Sequence, residues 1–331
     1  MYILIKFNKK MTHWGIIGLG SIAHHFVKDL ALVPEAKLYG VASRSLEKAN
    51  SFASEYLADK AFGSYEELLR NPLVSVVYIA TPHSSHKEWA IKAMKAGKHV
   101  LCEKPLGLDS GEVKEMISQA KTSGVFFMEA LWTRFNPSIE AVVNRIKTNE
   151  IGAIQYLQAD FGFYAMDRDP QSRVLNPALG GGSLLDIGIY PIFLSYLLLG
   201  MPESIMATSN FNDTGTELQT AMIFNYKKAK AVLYSGFTSK SSMVAQISGR
   251  EGLITIDSRW HESQGFKVEK EKEHDIESVS LPTLGRGYTY EIKAVHEALF
   301  NDWREHPKWT HQDSLNLSEL LDAVQIAAKN Q

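Results

Sequence analysis

The sequence predicts an α/β protein: a doubly wound parallel sheet in the first half, then an α+β half built on a large open, mostly antiparallel sheet. Three observations carry that expectation. The segment Trp14 to Ala23, WGIIGLGSIA, reads as a short apolar strand running through a glycine turn straight into a helix. Strand and helix patterns then alternate through the first 130 residues, the order required by a parallel sheet covered by helices on both faces. After Asn136-Pro137 the pattern changes to a helix followed by a string of period-two segments. At 331 residues the chain has the length of two domains, each able to bury its own core.

In chain order, strands are expected at His13 to Ile17, Lys37 to Ser43, Val74 to Ala80, His99 to Glu103 and Val125 to Met128. Helices fill the gaps at Ser21 to Leu32, Leu46 to Tyr56, Tyr65 to Arg70, Ser85 to Ala96 and Ser110 to Thr122. Gly97 and Gly124 stand where two of these helices should stop. The second half carries strand patterns at Ile154 to Phe163, Ile205 to Phe211, Leu218 to Tyr226, Ala231 to Thr238, Ala245 to Gly249 and Leu253 to Asp257. Helical patterns at Tyr288 to Arg304 and Ser314 to Ala328 close the chain. The expected division is an extension over residues 1–12, a first domain over 13–130 and a second over 131–331. The opening MYILIKFNKK is apolar then basic, the reverse of a signal peptide, and residues 1–12 are given no functional role.

The glycine turn carries chemistry as well as topology. Gly18 lets the chain turn tightly after the strand, Gly20 lets the backbone approach a pyrophosphate, and small Ala23 lets the helix pack close to the strand. Free N–H groups where that helix starts, at Ser21 and Ile22, attract phosphate. The end of the second strand distinguishes the dinucleotides. An acidic side chain there would bind the ribose 2′-hydroxyl of NAD, but the chain has Ala42-Ser43-Arg44-Ser45. Serine hydroxyls and a guanidinium suit a 2′-phosphate, each such bond being worth about 1.5–3 kcal/mol, or about a ten- to hundredfold preference. NADP is the expected cofactor, with NAD the alternative.

Other classes find little support. A net charge of −2, with no run of five or more like charges, argues against a nucleic-acid partner. The one cysteine, Cys102, cannot form an internal disulfide, which fits a reducing, cytoplasmic setting. No stretch of 18 consecutive apolar residues is present, so no membrane span is expected. His296-Glu297 starts like a zinc-protease helix, but Phe300 takes the second ligand's place. His24-His25 and the pair His83 and His86 lack further partners at metal spacing, and no metal is expected. Neither a G-x-S-x-G elbow nor a Walker lysine loop occurs.

Two more strand ends should face the crevice, because ligands of an open parallel sheet sit beyond the carboxyl ends of its strands. One continues as Thr81-Pro82-His83-Ser84-Ser85-His86, the other as Glu103-Lys104-Pro105. A lysine before proline is held on a stiff, extended backbone. Later, Gly180-Gly181-Gly182 approaches a helix beginning near Ser183, on which Asp186 and Tyr190 are four apart and share a face. Pro191 removes a backbone donor and should kink or restart that helix, freeing a carbonyl near the site. Trp132, Phe161, Phe163 and Tyr164 could make an aromatic wall. By themselves these residues also suit a solvated loop lysine and a core helix with a buried phenol and a capping aspartate.

The combination of GIIGLGSIA, ATPHSSH, AGKHVLCEKPLGL and GGGSLLDIGIYP resembles, over nearly the whole chain, the glucose-fructose oxidoreductase, inositol dehydrogenase and MocA family. FMEALWTRFNP, DIGIYP and GYTYE are most similar to its dimeric dihydrodiol dehydrogenase branch, which includes NADP-dependent D-xylose dehydrogenases. The resemblance implies an NAD(P)-binding Rossmann domain, an open-sheet domain whose face makes a homodimer or a tetramer, and a last helix, residues 314–328, returning to the first domain. It implies that Lys104 is the catalytic lysine, that Glu103, Thr81, Pro82, His83 and His86 neighbour the cofactor, and that Trp132 and Arg134 line its nicotinamide end. His83 stands where the family has asparagine, and Tyr190 where many members have histidine. The mechanism expected is hydride transfer between NADP and a CH–OH group of a sugar or vicinal diol. Tyr190 would take the hydroxyl proton, Lys104 would lower the phenol by about three units from about 10, and Asp186 would orient a second hydroxyl. Substrate contacts are expected from Trp132, Phe161, Phe163, Asp186 and Tyr190. The alternatives are an NAD-dependent inositol or ketosugar dehydrogenase or reductase, and a dinucleotide-sensing regulator that turns nothing over.

Overall fold

The computed structural model describes residues 11–271 and 276–329. Residues 1–10 of the expected extension lie outside the described residues, while Thr12 already opens the first strand. In the first half, β1 (Thr12–Ile17), β2 (Ala36–Ala42), β3 (Lys60–Phe62), β4 (Val76–Ile79), β5 (His99–Glu103) and β6 (Phe127–Ala130) form one sheet in the order β3-β2-β1-β4-β5-β6. Every neighbouring pair is parallel. Helices α1 (Ser21–Leu30), α2 (Leu46–Tyr56), α3 (Tyr65–Arg70), α4 (His86–Lys95) and α5 (Ser110–Ser123) make the crossovers. Central β4 is buried along its whole length, as a strand covered on both faces must be. The strand order reverses between β1 and β4, which opens the ligand crevice at their carboxyl ends.

In the second half, α6 (Pro137–Lys147) is capped by Asn136, which accepts from the Ser138 N–H. The large sheet is built from β7 (Ile154–Gly162), β8 (Ser204–Phe211), β9 (Glu217–Asn225), β10 (Lys230–Gly236), β11 (Ala245–Gly249), β12 (Gly252–Ile256), β13 (Gly265–Lys270) and β14 (Ile276–Ser280). Its order is β14-β13-β12-β11-β7-β10-β9-β8, antiparallel throughout except where β10 runs parallel to β7. One face packs on α7 (Ile189–Leu199), which is apolar on all sides and buried up to Ser195. The segment Pro177–Leu199 is apolar enough to cross a membrane, but 78% of its most apolar window lies inside the protein. It is the core helix over which the sheet closes.

Two of the contacts that join the halves position the site. Helix α9 (His311–Lys329) packs along α5, where the Ser110 N–H donates to Asp322 at 3.0 Å. Asp29, buried on α1, accepts the backbone N–H groups of Arg286, Gly287 and Tyr288 at 2.8–3.0 Å, capping α8 (Tyr288–Phe300) from the other half. Gly285 is needed for this approach, since a Cβ there would lie 2.3 Å from the Asp29 carboxylate.

Candidate active site

The cradle at the β1–α1 turn is shaped by two glycines with different duties. Gly18 has φ +89°, and a Cβ on it would stand 2.6 Å from the Ala80 carbonyl oxygen, so the turn requires glycine. Gly20 is the N-cap of α1, makes no side-chain bond, and has nothing within 4 Å of where a Cβ would be. The N–H groups of Ser21 and Ile22 therefore face open space with the positive end of the helix dipole behind them. Beside the turn, the Thr81 hydroxyl is buried and meets no partner among the described residues. At the end of β2, Ser43 is half-buried and Arg44 exposed. The exposed Ser45 hydroxyl accepts the Lys48 N–H at 3.2 Å and caps α2, and the Ser43 hydroxyl accepts the Ser45 N–H at 3.3 Å, which leaves each O–H free to donate. An open glycine cradle, an uncapped helix and an orphaned hydroxyl fit a dinucleotide, with Ser43 and Arg44 where its ribose end would lie.

Beyond β5 the second cluster begins. Buried Glu103 accepts the Tyr78 hydroxyl and, through Oε2, the Lys104 N–H at 3.3 Å. The Lys104–Pro105 peptide is cis. Lys104 Nζ donates to the Asp186 carbonyl at 2.5 Å, lies 3.5 Å from Asp186 Oδ1, and stands 5.0 Å from the centre of the Tyr190 ring. That carbonyl is free for a local reason. Leu184–Gly188 forms a π-helical turn, in which the Ile189 N–H reaches back five residues to the Leu184 carbonyl. In the same register Pro191 would serve Asp186, and proline has no N–H to give. The carbonyl that Pro191 was expected to free is thus Asp186's own, although the π register was not anticipated.

Asp186 is the electrostatic centre of this cluster. Arg173 Nη1 donates to its Oδ1 at 2.8 Å, and His83 Nε2 lies 4.0 Å from the same oxygen. Burial alone would raise the carboxyl, but the Lys104 ammonium and Arg173 guanidinium reverse that and hold it well below the usual carboxylate range. His83, whose Nδ1 meets the Gly180 carbonyl at 2.9 Å, is pushed down to about 3 by burial and is neutral.

Tyr190 is buried, and its hydroxyl accepts a hydrogen bond from Trp132 Nε1 at 3.0 Å. Trp132 in turn stacks on Tyr288, ring centres 4.7 Å apart. Burial pushes the Tyr190 phenol up, the Trp132 bond opposes that, and the Glu103 and Asp186 carboxylates add to it. The expectation that Lys104 lowers this phenol is corrected for the ligand-free protein: the ammonium is bonded to Asp186 and meets Tyr190 over its ring face. Phe161 joins the wall 5.5 Å from Tyr190, and Phe163 lies beyond it against Phe237. Tyr164 is exposed, two residues past the end of β7, and does not belong to the wall.

Two further expectations are corrected. His86 is fully buried, with Nδ1 2.8 Å from the Pro105 carbonyl and Nε2 2.9 Å from the Thr81 carbonyl. Its ring has no free edge for a cofactor; kept neutral by burial, it donates its one N–H to one of these two carbonyls and packs against the other. Arg134 is committed to Glu140 and, through Nε, to the Lys308 carbonyl at 2.8 Å, so it braces the turn that presents Trp132. Sequence reasoning missed Arg173, which lies in a polar loop without helix or strand pattern, and His261, whose ring stacks on Phe161 at 4.1 Å.

A family model described as an oxidoreductase family with an NAD-binding Rossmann fold matches residues 12–131, and the GFO/IDH/MocA C-terminal domain model matches residues 139–255. Among curated relatives, trans-1,2-dihydrobenzene-1,2-diol dehydrogenase of Sus scrofa is 36% identical over 324 residues, covering 95% of this chain and 96% of the relative. Among solved structures, a 3-ketoreductase from Actinomadura kijaniata in complex with NADP and TDP-benzene superposes with a TM-score of 0.85 at 26% identity, covering 96% of this chain and 98% of that one. An aldose-aldose oxidoreductase from Caulobacter crescentus complexed with glycerol shares the fold, with a TM-score of 0.87 at 24% identity over 97% of this chain and 98% of that one.

Proposed function

The chain belongs to the GFO/IDH/MocA family of NAD(P)-binding oxidoreductases, and from that membership we propose that it oxidises a CH–OH group of a cyclic sugar or vicinal diol, using NADP. The observation that carries this reading is the meeting of Lys104, Asp186, Tyr190 and Trp132 in one cluster. Bound NADP+ supplies the acceptor for the carbinol hydride. Ser43 and Arg44 hold the 2′-phosphate, and the N–H groups of Ser21 and Ile22 hold the pyrophosphate. Tyr190 acts as the phenolate: its own proton leaves to solvent before hydride transfer, and the phenolate oxygen then receives the substrate's hydroxyl proton. A substrate oxygen entering between Lys104 and Tyr190 draws the ammonium from the Asp186 carbonyl toward the developing negative charge, which makes the buried phenol a usable base. Asp186, kept ionised by Arg173, accepts the neighbouring hydroxyl of the diol. Trp132 and Phe161 cover the ring face of the substrate.

The outer face of the large sheet supports a homodimer, with a tetramer as its possible extension. Met206, Ile223 and Val232 are exposed and register side by side across β8, β9 and β10, an apolar row that a second copy would cover. We likewise infer a cytoplasmic setting, for which the one cysteine, buried Cys102, is the support. The test follows reduced-nicotinamide absorbance with NAD and NADP in parallel across D-xylose, D-glucose, myo-inositol and a trans-dihydrodiol. NADP-dependent turnover of a sugar or diol is the expected result. Tight dinucleotide binding with no turnover of any of them would replace the enzyme with a sensor.

A further inference from the structure

His261 has no part in the reading above, yet its ring stands in the same wall. It lies on a one-turn 3-10 helix, Trp260–Glu262, between β12 and β13, and is 5% exposed. Its ring is stacked on Phe161 at 4.1 Å with planes 21° apart, 5.3 Å from the Tyr190 ring and 6.4 Å from the Trp132 ring. The backbone around it is fixed. The Thr133 hydroxyl donates to the His261 carbonyl at 2.7 Å, and Trp260 Nε1 donates to the Asp160 carbonyl at 2.9 Å. Nevertheless Nδ1 is buried and meets no hydrogen-bonding partner among the described residues. Buried polar atoms in folded proteins are ordinarily paired, so a nitrogen left unpaired beside a ligand site calls for a ligand atom. Burial, reinforced by the charges of Arg259, Lys104 and Arg286, keeps the ring neutral, with one N–H donor and one acceptor nitrogen. An alcohol offers the same complementary pair.

Resting on the oxidoreductase reading of this site, we propose that His261 is a specificity-determining residue that takes a substrate hydroxyl beyond the two handled by Tyr190 and Asp186. The site then selects a polyhydroxylated ring, a pyranose or a cyclitol, over a trans-dihydrodiol. A trans-dihydrodiol has two hydroxyls, and both are used at the reacting end. Its remaining ring carbons would lie against Phe161 and leave Nδ1 unsatisfied, which is the kind of mismatch by which polar sites reject an analogue lacking a hydroxyl. A pyranose carries further hydroxyls around the ring and presents an apolar face to Phe161.

The test compares wild type with His261→Phe, which keeps the stacking on Phe161 and removes both nitrogens, and with His261→Asn, which keeps a hydrogen-bonding group. For NADP-dependent oxidation, the ratio of kcat/KM for D-xylose to that for trans-1,2-dihydrobenzene-1,2-diol falls about tenfold or more in His261→Phe, through KM for D-xylose, and is partly restored in His261→Asn. An unchanged ratio overturns the inference. A second readout needs neither variant nor turnover: the His261 ring nitrogen resonances of the NADP-bound wild type shift on titration with D-xylose and do not shift with the diol. Unmoved resonances with D-xylose overturn the inference. Absence of turnover with both substrates defeats the proposed function alone, because the resonances still decide whether His261 meets a sugar.

Discussion

Replacing Lys104 by methionine removes the ammonium while keeping most of the side-chain volume, and the structure sets the size of the effect. The charge stands 5.0 Å from the Tyr190 ring, where at an effective dielectric constant near 20 it is worth about 3 kcal/mol to a full negative charge. Since about 1.4 kcal/mol is a factor of ten in rate, kcat should fall by about two orders of magnitude at saturating NADP+ and D-xylose. The fold should suffer far less. A buried carboxylate stripped of its partner costs about 3–5 kcal/mol, but Asp186 keeps Arg173 at 2.8 Å, which restricts the loss to about 1–2 kcal/mol. The assay pairs steady-state kcat, from the absorbance of NADPH, with the NADPH dissociation constant and the urea midpoint of the same preparation. A drop in kcat with cofactor affinity and midpoint nearly intact is the signature of a charge used only in the transition state. Turnover within threefold of wild type, with both ligands saturating, would refute the role given to Lys104.

Substituting Arg44→Ala should lower the preference for NADP over NAD, measured as a ratio of kcat/KM values, by about ten- to hundredfold through loss of the charge-assisted bonds to the 2′-phosphate. An unchanged ratio would move that recognition elsewhere. Stability should fall on acidification. His83, His86 and His261 are held by burial at about 3, about 4 and about 3 in the folded protein, against 6.5 for a free histidine. Between these values the unfolded chain binds protons that the folded chain refuses. Stability fully present above about pH 6.5 is therefore lost as pH falls toward 4, by up to about 1.4 kcal/mol per pH unit for each ring. Asp186 does not offset this loss: its folded value is depressed, so its contribution persists until the unfolded value near 3.8 is approached from above. Buried Glu103, Glu129, Glu217 and Glu291, pushed up by burial, act in the opposite sense, so the histidine share is isolated by comparing wild type with His86→Gln in urea denaturation at pH 7, 6 and 5; identical slopes in the two would mean that this ring protonates in place.

What could be read from residues alone follows a physical division. Strands covered on both faces announce themselves as apolar runs, and β1, β4 and β5 were legible for that reason. Lys60–Phe62 is three residues long, and β13 and β14 alternate charges with apolar residues at a sheet edge, so none of the three gives a run to find. Gly18, Lys104, Asp186, Tyr190 and Trp132 lie in motifs whose spacing carries meaning. Arg173 and His261 enter the site through tertiary approach, one from a loop and one from a 3-10 turn, and no local pattern marks them. The reverse error has the same origin. His86 and Arg134 lie in those motifs and border the site, but their polar atoms are consumed by backbone carbonyls and by Glu140. Spacing locates such residues without revealing which way they are satisfied.

The two halves of the site are held in register by a continuous mechanical path. Asp29 lies on α1, the helix whose N-terminus forms the dinucleotide cradle, and its carboxylate holds the first N–H groups of α8. The first residue of α8, Tyr288, stacks on Trp132, and the Trp132 N–H fixes the hydroxyl of Tyr190. From the opposite side Lys104, at the end of β5, grips the carbonyl of Asp186 four residues before Tyr190. The phenol is thus located on one side by Lys104 of the first domain and on the other by Trp132, which Tyr288 and Asp29 tie back to that domain. The cradle on α1 and the base carried at the start of α7 are linked through direct contacts. A substrate has only to displace the ammonium from a carbonyl, a motion of one side chain.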